Sequence, residues 1–262
     1  YHKIRMNYRM QWAQMTGAPH TATLSYDAAF KRVGLGAVIQ YDRIASFQRV
    51  STNFAYAYHI PLQKDLKLSI GLGLKYFNIR LSNIDDLGLV NGSDIAVING
   101  QQGSHAFDAG AGAYLYNKQF FAGISVINLI EWQLNFGQSD RNKQAKLYRQ
   151  YQAMGGYRFD LGKLSLSPSA YFRWVQGLPP QFDINLKLGL LDEQIFTGFS
   201  YRTTSDFMLF LAFKINKLVH LAYSFEFSTS SLQGFHSGTH EVTIGVDLVS
   251  QKKNLASSQV KN

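Results

Sequence analysis

Residues 2–13 read HKIRMNYRMQWA, a stretch in which large apolar side chains alternate with polar ones. The apolar positions are Ile4, Met6, Tyr8, Met10 and Trp12. The polar positions between them are Lys3, Arg5, Asn7, Arg9 and Gln11. Because successive side chains of a strand point to opposite faces, this pattern predicts a strand with one apolar and one cationic face. Such a strand suits a membrane barrel, whose outer face meets lipid and whose inner face stays polar.

The same alternation recurs along the chain and predicts about fourteen strands. The further segments are 20–30, 33–45, 50–60, 66–82, 104–116, 119–129, 147–159, 164–174, 182–190, 194–203, 206–215, 219–228 and 241–248. An even number is the rule for bacterial single-chain outer-membrane barrels, and a tilted strand crosses a bilayer in roughly 9–11 residues. Pro168 cannot donate a backbone hydrogen bond, so we expect a local irregularity around it. The pattern therefore predicts an all-β, transmembrane, antiparallel up-and-down β-barrel.

The connections between these segments sort by length. If both termini are periplasmic, every second connection must be a short periplasmic turn. The turns in that set are 31–32, 61–65, 117–118, 160–163, 192–193 and 216–217. The long connections 83–103, 130–146 and 229–238 fall in the other set, where extracellular loops belong. We therefore predict a barrel over residues 1–249, with both ends in the periplasm, followed by a polar periplasmic tail over 250–262.

The composition agrees with a wide sheet and disfavours a soluble domain. Aromatic residues make up 14% of the chain and charged residues only 16%, against roughly a quarter in soluble domains. The mean hydropathy of −0.14 is what lipid-facing and lumen-facing residues give when they alternate. There is no cysteine, which excludes disulfides and thiolate metal sites. No signal peptide precedes the first strand pattern, so we expect the chain to be a mature or trimmed product.

The formal net charge of +9 raises the question of a polyanionic partner. Nucleic-acid binding needs a basic stripe on one element, whereas the cations here are scattered and often alternate with apolar residues. A polar lumen or contact with anionic lipid headgroups explains the charge more simply. We expect outer-membrane lipid, and no nucleic acid, as a partner.

Charged residues on the expected inner faces form the largest candidate site. The cations are Arg5, Arg9, Lys67, Lys75, Arg173, Lys187 and Arg202. The carboxylates on the same side are Asp27, Asp183, Glu226, Glu241 and Asp247. A buried charge must be paired or hydrated, so the two sets can form a salt-bridged, closed lumen. The alternative is an anion-selective passage, because rings of charge set pore selectivity.

Catalytic and metal-binding patterns are weak in this sequence. His240 and Glu241 point to opposite faces of a strand, and His59, His105 and His220 have no metal-ligand spacing. A histidine such as His59 beside a serine of a neighbouring strand leaves a lipid hydrolase as a weaker alternative. We predict no catalytic, cofactor-binding or metal-binding residues, and no enzymatic activity.

Several short motifs of the sequence resemble those of a known family. They are Tyr8-Arg9-Met10-Gln11-Trp12, Gly17-Ala18-Pro19, Thr23-Leu24-Ser25-Tyr26-Asp27, Asn53-Phe54-Ala55-Tyr56-Ala57-Tyr58, Ile60-Pro61-Leu62, Gly198-Phe199-Ser200-Tyr201-Arg202 and Gly238-Thr239-His240-Glu241-Val242. In order and spacing they resemble the PorP/SprF family of the Bacteroidetes type IX secretion system over nearly the whole chain. The motif positions are Tyr8, Arg9, Gln11, Trp12, Gly17, Ala18, Pro19, Ser25, Asp27, Tyr201, Arg202, Gly238, His240 and Glu241.

The chain departs from the family pattern in three places. The family usually begins with an Asn-Pro and Ala-Tyr-Ala-Gly segment that is absent here, so we expect an N-terminal piece to be missing. Ala28-Ala29-Phe30 stands where a Pro-containing end of the second strand is common. The final strand continues into a tail instead of stopping at an aromatic residue.

The resemblance implies a non-enzymatic protein of the bacterial outer membrane that serves type IX secretion and gliding motility. It implies either an anchor for periplasmic parts of the machine, such as lipoproteins, or a partner for the C-terminal domain of secreted adhesins. The alternative from another class is an outer-membrane transport channel for hydrophobic or anionic solutes.

Overall fold

The computed structural model describes residues 1–81, 103–134, 145–204, 206–229, 234 and 236–248. The expected tail over 250–262 and most of the connection 83–103 lie outside the described residues. No helix in the described part of the chain is long and apolar enough to span a bilayer.

The described elements are β-strands almost throughout. They are β1 (His2–Met10), β2 (His20–Phe30), β3 (Val33–Ile44), β4 (Phe47–Pro61), β5 (Lys67–Leu81), β6 (Gly103–Tyr116), β7 (Phe120–Ile127), β8 (Gln133–Leu134), β9 (Ala145–Lys146), β10 (Gln150–Tyr157), β11 (Phe159–Leu161), β12 (Leu164–Val175), β13 (Gln181–Leu190), β14 (Ile195–Arg202), β15 (Asp206–Lys214), β16 (Val219–Ser228) and β17 (Thr239–Leu248). The two-residue strands β8 and β9 pair only with each other, and the remaining strands belong to one large sheet.

The large sheet is closed and antiparallel. Each strand pairs with the next strand of the sheet along the chain, with β7 pairing with β10, and β1 pairs with β17 from His2↔Leu248 to Met10↔His240. Both β10 and β11 pair with β12 in one continuous register, so together they act as a single strand. The result is a closed 14-strand antiparallel barrel, which confirms the expected fold.

Pro168 explains why β10 and β11 are separate. Their common register with β12 is interrupted between Gly156↔Ser169 and Phe159↔Leu166, over Tyr157 and Arg158. In this register Tyr157 lies opposite Pro168, which has no N–H to donate. The expected irregularity is confirmed, and it falls on the partner strand, whereas β12 itself runs unbroken from Leu164 to Val175.

The two faces of the barrel wall differ as the alternation predicts. The outer face is covered by exposed hydrophobic side chains such as Leu72, Leu74 and Ile124, which are 65%, 68% and 67% exposed. On the other face Arg9 of β1 reaches Glu226 of β16 past the intervening β17. Contacts between alternate strands require side chains to converge, so this second face is the concave lumen side. The outer surface is therefore apolar and the lumen lining is polar, which is the distribution of side chains found in barrels that cross a bilayer.

The first strand is shorter than predicted. The expected segment 2–13 ends at Met10, and residues 11–13 already belong to the connection to β2. Trp12 has a left-handed backbone with φ 53°, and its N–H donates to the Thr239 hydroxyl at 3.3 Å. These contacts turn the chain away from the ladder, so the prediction of a longer strand was wrong.

The connections sort to the two ends of the barrel. The end at which β1 begins and β17 ends carries the short turns 31–32, 62–66, 117–119, 162–163, 191–194 and 215–218. We call this the terminal end. The connections at the opposite end, which we call the loop end, include 11–19, 82–102, 128–149 and 229–238. The length sorting agrees with the sequence analysis, and the placement of the terminal end in the periplasm stays a prediction.

The outer face supplies a test of the membrane-facing surface. We expect Ile124→Arg to lower the free energy of unfolding by about 2–4 kcal/mol, the cost of an arginine near the bilayer midplane. Ser125→Arg is the matched control, because Ser125 pairs in register with Gly112 and Gln152 and so lies on the lumen face. Urea unfolding in lipid vesicles measures both. Equal losses for the two variants would contradict the assignment of the faces.

Candidate functional site in the barrel lumen

Glu226 on β16 is the centre of the charged lumen. It is only 8% exposed, and its carboxylate lies 2.9 Å from Arg9 Nη2 and 3.5 Å from Arg202 Nη1. Arg9 also lies 3.2 Å from Glu241, and Arg202 lies 3.2 Å from Asp183. One buried carboxylate therefore links β1 and β14 through two guanidinium groups.

The chain of contacts continues on both sides of Glu226. Asn7 Nδ2 donates to Glu241 at 2.7 Å on one side. On the other, Gln181 Nε2 donates to Asp183 at 2.8 Å, and Gln181 Oε1 accepts a hydrogen bond from Arg173 Nη2. We call the set Asn7, Arg9, Arg173, Gln181, Asp183, Arg202, Glu226 and Glu241 the polar belt. It holds three guanidinium groups and three carboxylates, so it carries no net charge.

A second cluster lies on β3 and β4. Asp42 is 5% exposed and accepts hydrogen bonds from Thr21 Oγ1 at 2.7 Å, Gln40 Nε2 at 3.0 Å and Arg49 Nη2 at 2.7 Å. Asp42 and Arg49 are not among the lumen charges predicted from the sequence. The alternation of β3 and β4 contains the signal, because it puts both residues on the inner face, and they are direct partners in register.

The remaining predicted lumen charges lie towards the terminal end or mid-barrel. Arg5 Nη1 lies 2.9 Å from Asp27, and Lys3 lies 3.5 Å from Asp247. The structure places the other members on the same face without a carboxylate within 4.0 Å in the described residues; they are Lys67, Lys75 and Lys187. The Lys75 and Lys187 ammonium groups each lie 5.3 Å from a ring centroid, of Phe77 and Phe196 respectively. The lining thus contains both ion pairs and cations held over aromatic rings.

One patch of the lumen wall is lined by small residues. These inner positions on β3 to β7, which we call the smooth wall, are Gly34, Gly36, Ala55, Ala57, Gly71, Gly73, Gly110, Gly112, Gly123 and Ser125. A cavity of about 330 Å³ lies along this surface and reaches Gln152 and Met154. The lumen is therefore asymmetric, because the polar belt and the smooth wall lie on different strands.

The connection between β7 and β10 packs onto the rim at the loop end. Leu134 is buried against Phe77 and Ala106, whose side chains are inside the barrel. The Ile130 N–H donates to the buried Asp108 carboxylate at 3.0 Å. Hydrogen bonds from the Lys146 ammonium and the Arg149 N–H hold the pKa of the Glu131 carboxyl below its ordinary value. These contacts attach the described parts of this connection to the barrel wall.

Most of the family-motif positions lie near the seam between β1 and β17, whereas Tyr201 and Arg202 lie on β14. Arg9, Glu241, Arg202 and Asp27 take part in the lumen ion pairs described above, and Ser25 faces Arg5 in register. Tyr8, Tyr201 and His240 lie on the outer face.

The other motif positions lie in connections that pack together at the loop end. Gln11 N–H donates to Pro19 O at 2.9 Å, and Ala13 N–H donates to Gly238 O at 2.8 Å. Ala45 N–H donates to Gly17 O at 3.0 Å, which joins the β3–β4 turn to these connections. Ala18 is buried among these connections. The centroid of the Trp12 ring lies 6.4 Å from the centroid of the His236 ring. Gly238 has φ +98°, and a Cβ there would approach the Phe225 ring to 2.6 Å.

No hydrogen bond or ring contact joins two histidine side chains in the part of the chain that the structure describes. His59, His105 and His240 each hydrogen-bond a tyrosine hydroxyl, from Tyr116, Tyr76 and Tyr223 respectively. Within the described ranges, no three potential metal ligands form a group.

The sequence matches one protein family over nearly its whole length. The match to the family described as "Type IX secretion system membrane protein PorP/SprF" covers residues 1–246. No curated protein matches the chain.

Solved structures of outer-membrane barrels are similar to this fold. The CymD monoaromatic hydrocarbon channel aligns with 94% of this chain and 87% of its own, at 9% identity and a TM-score of 0.55. The Pseudomonas putida toluene transporter TodX aligns over the same shares at 9% identity and a TM-score of 0.51. The Acinetobacter baumannii outer membrane protein Omp33 aligns over 94% and 95%, at 12% identity and a TM-score of 0.50. At such identities the likeness shows the fold alone.

The polar belt supplies a prediction about stability. We expect Glu226→Gln to lower the free energy of unfolding by about 3 kcal/mol, because it leaves two guanidinium groups in the lumen without their shared carboxylate. Asp27→Asn is the control, since that ion pair is half exposed and such pairs contribute at most about 1 kcal/mol. Denaturant unfolding in detergent micelles measures both. A Glu226→Gln loss no larger than that of Asp27→Asn would show that the belt is not a structural centre.

Proposed function

The chain belongs to the PorP/SprF family of type IX secretion system membrane proteins, and from this we propose that it is a non-enzymatic outer-membrane anchor that binds other proteins of type IX secretion and gliding motility. As a member of this family with the fold of outer-membrane barrels, it is a protein of the bacterial outer membrane. Its partners are periplasmic components of the machine, such as lipoproteins, or the C-terminal domain of secreted adhesins.

The neutral polar belt is the observation that carries this proposal. Arg9, Arg202 and Glu226 bond to each other or to further belt residues, so they offer little net field to a passing ion. A ring that selects ions needs an excess of one charge, whereas a cross-linked lining stiffens the wall. A rigid barrel of this kind is suited to hold partners at its ends.

The turns at the terminal end are the surface that we assign to a periplasmic partner. They carry exposed cations at Lys31, Arg32, Lys64, Lys118, Lys163 and Lys217. The described carboxylates in the same turns are Asp65, Asp192 and Glu193. This excess of positive charge favours an acidic partner surface, because complementary charge raises association rates and excludes wrong partners.

The smooth wall supports a second candidate, a transport channel for hydrophobic or anionic solutes. Its cavity of about 330 Å³ is lined mainly by glycine, alanine and aliphatic side chains, which would accept an apolar solute. CymD and TodX are named as a hydrocarbon channel and a toluene transporter, and the likeness to them extends to the fold. Steady ion current in a planar bilayer, or uptake of toluene into vesicles, would favour this candidate over the anchor.

Crosslinking in the native outer membrane tests the anchor. We expect the full chain to co-purify with periplasmic lipoproteins or secreted adhesins of the machine. Lys31→Glu/Arg32→Glu/Lys64→Glu should lower that recovery at least about five-fold, since reversing several charges at an interface costs more than one kcal/mol.

The matched control is Lys31→Arg/Arg32→Lys/Lys64→Arg, which keeps the charge and should keep the partners. The abundance of the barrel in the membrane is measured in parallel. Recovery of the barrel alone from the unchanged chain would contradict the proposal, and equal recovery by the charge-reversed variant would move the partner surface away from these turns.

A further inference from the structure

The outer face of β1, β2 and β3 changes character towards the loop end. Three successive rows cross these strands in register, and all point away from the lumen. The first row is Met6, Leu24 and Ile39, which are 60%, 44% and 49% exposed. The second is Tyr8, Ala22 and Tyr41, and the third is Met10, His20 and Arg43. Within two steps the surface passes from aliphatic to aromatic to cationic, the order found where hydrocarbon gives way to lipid headgroups.

A depression lies in the second row. Ala22 stands between two tyrosines, and its methyl group leaves a hollow of about 300 Å³ lined by Tyr8, His20, Ala22, Tyr41 and Arg43. The Tyr8 hydroxyl lies 2.9 Å from His20 Nδ1 and orients the imidazole. When that hydroxyl donates to Nδ1, the neutral ring carries its proton on Nε2, which can then donate to a ligand.

Arg43 is a cation without a counter-charge in the described part of the chain. Its guanidinium is exposed, and its register neighbours, Gln48 and His20, are not carboxylates. Arg49, on the next strand but on the inner face, instead bonds Asp42 at 2.7 Å. A guanidinium at the edge of the apolar band is costly unless an anion meets it. At this depth the anions available are lipid phosphates.

We propose that this hollow binds the phosphate group of a membrane lipid. The Arg43 guanidinium and the His20 Nε2–H donate to the phosphate oxygens, since charge-assisted bonds from arginine to phosphate are short and strong. The Tyr8 and Tyr41 rings flank the region next to the phosphate, and an acyl chain continues over Leu24 and Ile39. That continuity with the aliphatic row is why the occupant is a lipid and not a soluble phosphate. The site is independent of the protein partners proposed above.

Native mass spectrometry of the full chain in detergent tests the proposal. Dioleoylphosphatidic acid and dioleoylglycerol, which share their acyl chains, are offered at equal concentration. We expect preferential retention of a single phosphatidic acid. Arg43→Ala should lower its retention at least about five-fold, and Arg43→Ala/His20→Ala should lower it further, because each basic group contributes to headgroup binding.

Arg158→Ala is the control, because it removes an arginine at the terminal end, where it bonds Asp160 at 2.6 Å, far along the strands from the hollow. It should leave retention unchanged. Folding of every variant is checked by its heat-dependent gel migration without added lipid, and Arg43→Gln replaces any Arg43→Ala chain that does not fold. Equal retention of the two lipids, or equal phosphatidic acid retention by the Arg43 variants, would overturn the site. Displacement of the lipid by millimolar inorganic phosphate would also overturn it, in favour of a soluble anion.

Discussion

Closure of the sheet between β1 and β17 is the constraint on which the rest of the structure depends. Hydrocarbon offers no hydrogen bonds, so an unpaired strand edge inside a bilayer would leave its backbone groups unsatisfied at several kcal/mol each. The register from His2↔Leu248 to Met10↔His240 removes both edges. Hydrogen bonds from Trp12 to Thr239 and from Ala13 to Gly238 stabilise this pairing at the loop end. This explains in physical terms why motif positions from the two ends of the chain lie side by side.

Closure also creates the lumen and its chemistry. Curvature brings the inner side chains of alternate strands within reach, so Glu226 can bond Arg9 and Arg202 across one strand on either side. On the convex face the same curvature spreads side chains apart, and hollows such as that over Ala22 open between them. The polar belt is thus a product of the inner face, and the proposed phosphate site is a product of the outer face. Both arise from one alternating sequence pattern.

The sequence predicted the strands and their faces because both depend on a period of two, which is local. It placed Arg5 with Asp27 and Arg9 with Glu241 on one side for the same reason. It could not place Glu226 between Arg9 and Arg202, because that contact requires the curvature of the closed sheet. It extended β1 beyond Met10, because the left-handed turn at Trp12 is stabilised by Thr239 from the other end of the chain. The small-residue wall was visible as inner glycines, but its cavity depends on the packing of five neighbouring strands.

Direct measurement of the seam tests the account most sharply. The chain has no cysteine, so a pair introduced as Asn7→Cys/Thr243→Cys reports only on these two positions, whose side chains bond at 2.8 Å across β1 and β17. A barrel closed in this register is expected to form this disulfide in high yield on mild oxidation in the membrane. The pair Asn7→Cys/Val242→Cys, which points to opposite faces, should stay reduced. Equal crosslinking of both pairs, or of neither, would contradict a closed barrel with this register.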